Sequence, residues 1–137
     1  MFTEKDAKDA LIKLASIKGV QKAITIEQMM RCETAHFTSW QYKNTGTGGM
    51  EAGKWPNLAP SKINGTITMP DNHPDKVKVK NRIFIVWKSV EDFVFYLSDY
   101  IDRHEKDGGF ARWNSTDLNQ QAKYMSAVKG VKSRFFA

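Results

Sequence analysis

The chain has little with which to cross-link or anchor itself. Its one cysteine, Cys32, excludes an internal disulfide framework and a four-cysteine zinc site. No stretch approaches the roughly 18 unbroken apolar residues of a membrane span. The opening residues Met1-Phe2-Thr3-Glu4-Lys5-Asp6 lack both a basic and an apolar region, so no secretory signal is visible. Internal repeats, charge blocks and low-complexity tracts are absent. His36, His73 and His104 are scattered and no His-Glu-x-x-His occurs, so neither a metal site nor a cofactor is expected. A length of 137 residues suits one compact domain spanning 1–137 and is short for two.

What is present can build a core: 41% hydrophobic residues, with aromatics among them, exclude a wholly disordered chain. Twenty-one basic against fifteen acidic residues leave a charge of +6. That suits an anionic partner, whether nucleic acid, an acidic membrane or an anionic wall polymer, and composition does not choose among them. Thr3 with Asp6 caps a helix over residues 3–17, with Ala7, Ala10, Leu11, Leu14 and Ile17 on one face and Gly19 as its stop. Thr25 with Gln28 opens a second helix over about residues 25–37. Residues 38–62 are polar and glycine-rich, a long irregular segment of the functional kind. Short β runs follow at 66–69, 77–79 and 82–88, with Asn64-Gly65 as a turn. Ser89 with Asp92 caps a third helix striped by Val90, Phe93, Val94, Leu97, Tyr100 and Ile101. A fourth runs over about 117–129 with Leu118, Ala122, Met125 and Val128 inward. The order implies an α+β fold, mainly helical, with a small inserted β lobe and a cleft between lobes.

One residue breaks the pattern. With Ile26 as zero and about 100° per residue, Met30 falls near +40° and Glu33 near −20° on the second helix. Glu33 thus sits within the apolar stripe near the helix's C-terminal end. Desolvation and the negative end of the helix dipole both favour a protonated carboxyl there, as a general acid needs. A side chain that snorkels to solvent, or an ion pair with Arg31, Arg82 or Lys43, is the structural alternative.

The segment Cys32-Glu33-Thr34-Ala35-His36-Phe37-Thr38-Ser39 resembles the Glu-Ser-Gly-Trp-Gly-x-Ser run that ends the catalytic helix of bacterial peptidoglycan N-acetylglucosaminidases of the flagellar-hydrolase and autolysin type, within the lysozyme-like superfamily. Residues 82–93, continuing through Tyr96 to Ile101, are similar to that family's strand leading into a Ser-capped helix. The resemblance follows the order of elements over about residues 22–135. Ala35 departs from the family's turn after the acid. The family's Gly-Tyr-Ala-Thr-Asp-like tail is matched only loosely by residues 111–117, so its tyrosine does not carry over. The resemblance implies a lysozyme-like fold with Glu33 as general acid.

Glycosidases usually use a second carboxylate, although some relatives work with a single essential Glu and leave the rest to water or the substrate's acetamido group. Glu51, between Gly48-Gly49 and Gly53, is the first candidate, and Asp71 and Asp75 follow; each is otherwise an ordinary loop acid. Trp40, Tyr42 and Trp55 flank the expected cleft as sugar-stacking candidates, or else cover the core. Tyr96 lies off the apolar stripe and can reach the cleft, whereas Trp87 and Trp113 belong to core or rim.

Other chemistries have weaker signals. Cys32 sits late in its helix, where the dipole opposes a thiolate nucleophile. Glu33-x-x-His36 has no second copy to complete a di-iron site. Lys76, Lys78 and Lys80, with Lys129, Lys132 and Arg134, are basic without any nucleic-acid signature, and nucleic acid is not the expected partner. The expectation is a monomeric glycosidase acting on peptidoglycan glycan strands. It would reach the wall through phage, secretion or conjugation machinery, or behind a leader not seen here. A non-catalytic glycan-binding or apparatus module is the alternative.

Overall fold

The computed structural model describes residues 1–55, 58–70, 73, 82–104 and 118–136. Among these the fold is mixed α+β, with five α-helices, one 3₁₀ turn and a two-stranded sheet. Helix α1 (Glu4–Lys18) starts at the expected capping box: the Thr3 N–H donates to Asp6 Oδ2 at 2.8 Å and the Asp6 N–H to Thr3 Oγ1 at 3.3 Å. Ala7, Ala10, Leu11 and Leu14 are buried, but Ile17 is 60% exposed.

Helix α2 (Val20–Glu33) begins earlier and ends sooner than expected. Gly19, at φ +97°, closes α1 through its N–H to the Ala15 carbonyl and accepts from the Ala23 N–H to open α2. The chain therefore turns a corner without a connecting loop. Thr25 lies inside the helix, and its hydroxyl bonds back to the Gln21 carbonyl rather than capping.

The segment 38–62 is less irregular than its glycines suggest. Ser39 accepts from the Tyr42 N–H and starts α3 (Trp40–Thr45), which Gly46 closes in the left-handed conformation. A 3₁₀ turn (Pro60–Lys62) leads into β1 (Ile63–Thr68). Strand β1 runs antiparallel to β2 (Ile83–Trp87), pairing Thr66 with Ile85 and Thr68 with Ile83. Asn64-Gly65, expected as a turn, is instead an irregularity within β1, where Gly65 takes φ +75°. The run 77–79 lies outside the described residues.

Ser89 caps α4 (Val90–Arg103) as expected; Val90, Phe93, Val94, Leu97 and Ile101 are buried and Tyr100 is half-buried. Helix α5 (Leu118–Gly130) buries Val128 and half-buries Tyr124 and Met125, whereas Ala122 is exposed. Helix α1 packs on α2 and α4, α5 packs on α2, and α3 packs on β2.

Two charged side chains, Glu27 and Arg31, lie one turn apart on α2 and are fully buried. Arg31 Nε donates to Glu27 Oε2 at 2.7 Å. The same carboxylate accepts the Ser133 hydroxyl at 2.5 Å and the N–H groups of Arg134 and Phe135 at 2.8 and 3.3 Å. Both terminal nitrogens of Arg31 reach Glu4 at 3.2 Å, and its guanidinium lies over the stacked rings of Phe37 and Phe135.

Burial would raise the pKa of Glu27, but hydrogen bonds from Arg134, Ser133 and Arg31, with the Arg31 charge, outweigh it and the net shift is downward. With the folded pKa below its ordinary 4.5, the unfolded chain binds more protons as pH falls past that value, so this stability is present above it and lost below it. Glu27→Gln leaves Arg31 buried without its close partner and should cost about 3–5 kcal/mol in urea unfolding at neutral pH. The variant should also lose this component of the acid-side decline. A variant as stable as the parent, with an unchanged acid limb, would contradict the assignment.

Candidate active site

The end of α2 is set by Thr34. Its hydroxyl donates to the Met30 carbonyl at 2.5 Å and accepts the Phe37 N–H at 2.8 Å. Its carbonyl accepts the N–H groups of Thr38 and Ser39 at 3.0 and 2.9 Å. Around this hub Ala35, His36 and Phe37 all take left-handed backbone conformations, with φ of 49°, 55° and 66°. Each non-glycine residue there costs roughly 1–2 kcal/mol, which the bonds to Thr34 and the burial of Phe37 offset. The strained turn stops the helix at Glu33, which is half-buried as its last residue.

The chain returns to Glu33 from the far side of α3. The Thr45 and Thr47 hydroxyls sit 3.2 Å apart, buried, and Thr47 Oγ1 accepts the Gly49 N–H at 3.0 Å. Between them Gly48 presses on the acid. A Cβ added there would lie 2.6 Å from Glu33 Cβ and 3.0 Å from its carbonyl oxygen, a space only glycine fits. Past this contact the chain joins the sheet. Ile85 donates to the Met50 carbonyl at 2.8 Å and Ala52 to the Ile83 carbonyl at 2.9 Å, which bridges Glu51 to Phe84.

These elements enclose a cavity of about 470 Å³. Glu33, Glu51 and Trp55 all line it, above an apolar floor that includes Met29, Met50 and Phe93. The two acids differ in their surroundings. Glu51 Oε2 holds Lys54 Nζ at 2.6 Å, and Oε1 holds Arg82 Nε and Nη2, each at 3.0 Å. The Lys54 hydrogen bond and the charges of Arg82 and Lys54 hold the Glu51 carboxyl below the usual range, against partial burial. Glu51 is a fixed anion. Arg82, an alternative partner for Glu33 on sequence grounds, belongs to Glu51, and Arg31 belongs to Glu27 and Glu4.

Behind Glu33 stands Tyr124 of α5. Burial first, then the charge and hydrogen-bonding pull of Glu33, push its phenol pKa far upward, so the hydroxyl stays protonated. That hydroxyl is buried and makes no hydrogen bond of regular geometry. Sequence reasoning missed Tyr124, although its i, i+4 spacing to Val128 places it on the inward face. Lys54 and Arg82 were missed as cavity residues because their role depends on Glu51.

Among the described residues, the remaining candidates do not join this cavity. Tyr42 is fully buried: its hydroxyl donates to the Thr3 carbonyl at 2.6 Å and its ring meets Phe37 edge-on, so no sugar can stack on it. Trp40, half-buried at the start of α3, faces Phe84 and His73. Tyr96 is half-buried against Trp87, which is itself core. Asp71, Asp75, Trp113, Lys76, Lys78 and Lys80 lie outside the described residues. Burial and the Glu33 charge raise the Cys32 pKa, which opposes a thiolate. Among the described residues no three His, Cys, Asp or Glu side chains form a metal-sized group, and no helix is long and apolar enough to cross a membrane.

No family model, curated protein or solved structure matches the chain.

The Gly48 contact is open to a direct check. Gly48→Ala forces backbone apart at the Glu33 carbonyl and should destabilise the chain by about 1–3 kcal/mol. It should also alter the emission of the nearby Trp55. Unfolding and fluorescence curves that overlay the parent's would show that the loop does not press on Glu33.

Proposed function

We propose that the chain is a glycoside hydrolase that cleaves the amino-sugar strands of bacterial peptidoglycan, with a lysozyme-like division into a helical part and a small β lobe. The observation that carries this reading is one cavity lined by two carboxylates of unlike environment and by a tryptophan. Glu51 is held ionised by two cations, so proton donation falls to Glu33. Glu33 gives its proton to the bridging oxygen as the glycosidic C–O bond breaks. Positive charge grows on the ring, and the fixed carboxylate of Glu51 stabilises it. Water then adds to the anomeric carbon, and its proton passes to a carboxylate. Trp55 offers a ring face to a pyranose, while its edge contact with Tyr100 at 5.9 Å between centroids restrains it. The basic surface favours the anionic wall, which the chain reaches by phage, secretion or conjugation machinery and on which it acts as a monomer.

Digestion of purified peptidoglycan, with the new reducing ends identified by mass spectrometry, tests this. Glu33→Gln should keep the circular dichroism of the parent and lose at least about 100-fold in turbidity clearing. Glu51→Gln should also lose most activity. A parent chain that binds the wall and releases no sugar would favour the glycan-binding module.

A further inference from the structure

We infer that Lys54 and Arg82, gathered on one wall of the cavity by Glu51, recognise a carboxylate carried by the sugar strand. The chain therefore selects acid-bearing amino-sugar strands over uncharged ones. This rests on the glycosidase reading and specifies its substrate.

The charge count argues first. One cation suffices to neutralise Glu51, yet it holds two, one on each carboxylate oxygen, so the trio carries a net positive charge. Lys54 and Arg82 are also the only cations among the described residues that line the cavity. Donor capacity argues next. A guanidinium has five N–H donors and an ammonium three. Glu51 occupies the Nε and Nη2 side of Arg82 and one hydrogen of Lys54. Donors remain for an incoming anion.

The wall is also preorganised. The Arg82 guanidinium lies 5.0 Å over the ring of Phe84, which is fully buried, and the backbone of Phe84 bridges to Glu51. The cation–π contact and the ion pair hold the guanidinium in place before any ligand arrives, which suits a carboxylate. Arg82 is 28% exposed, so its charge is less screened than that of a surface arginine, whereas Lys54, at 68%, keeps its ion pair with Glu51 and is open to solvent. Glu33 and this cationic wall line the same cavity, so a carboxylate anchored on Lys54 and Arg82 orients an asymmetric sugar relative to the acid. Anchoring of this kind sets which residue of an alternating strand presents its glycosidic oxygen to Glu33.

The test reads binding to the whole chain with two matched probes. One is the disaccharide of N-acetylglucosamine and N-acetylmuramic acid with its lactyl carboxylate free; the other is its methyl ester. The free acid should bind about tenfold tighter at low salt, a gap equal to one charge-assisted contact, and the gap should shrink as salt rises. Lys54→Gln, on an exposed side chain, should narrow the gap, and Lys54→Gln with Arg82→Gln should close it. If the double variant fails to fold, the single variant and the salt series decide. Equal affinity for acid and ester, or an acid preference untouched by Lys54→Gln and by salt, would overturn the inference. Turnover separates the two readings. A chain that prefers the acid and hydrolyses neither strand keeps this wall and loses the glycosidase. One that cleaves both and binds them equally does the reverse.

Discussion

The buried pairing of Glu27 with Arg31 is the constraint on which the rest depends. A charge buried in a protein interior costs several kcal/mol unless other groups satisfy it, so each side chain recruits partners from distant parts of the chain. Glu27 gathers the backbone at residues 134 and 135 and the Ser133 hydroxyl; Arg31 gathers Glu4 and the rings of Phe37 and Phe135. One helical turn of α2 thereby joins the first helix, the left-handed turn and the C-terminal segment. The site inherits its order from this. Fixing the end of the chain restrains α5 and with it Tyr124, while fixing Phe37 restrains the turn that stops α2 at Glu33.

Two kinds of tension meet at Glu33. Three consecutive left-handed residues cost free energy that hydrogen bonds to Thr34 compensate, and Gly48 approaches closely enough to exclude any side chain. Both hold backbone against backbone, which positions a carboxylate more firmly than side-chain contacts alone could. Glu51 is fixed by different means, through main-chain pairing along β2 and a cation on each oxygen. The cavity thus sets a half-buried acid at a helix end against one whose pKa is held down by two cations at a sheet edge. Two identical side chains thus stand in unlike electrostatic surroundings.

Much of this was legible in the sequence, for reasons that differ by element. Capping signals are local, and the Thr3–Asp6 and Ser89–Asp92 caps formed as read. The stripe of α4 was clear because its period runs uninterrupted from Val90 to Ile101. Thr25–Gln28 misled because a hydroxyl inside a helix can bond back one turn, and Gly19 supplied the real boundary. The polar segment after Ser39 concealed α3, a helix of a turn and a half whose aromatic, Tyr42, serves the core.

The sequence by itself determined the α+β class, the caps at Thr3 and Ser89 and the prominence of Glu33, because these follow from residue spacing along a single element. It also singled out Glu51 and Trp55, since acids and tryptophans in a glycine-rich loop are marked by composition alone. Only the tertiary structure decided that these three face one cavity, that Glu51 owns both Lys54 and Arg82, and that Tyr124 stands behind Glu33. Those relations join residues up to 91 positions apart, and the buried charge pair that orders them becomes costly, and therefore selective, only after the chain has expelled water.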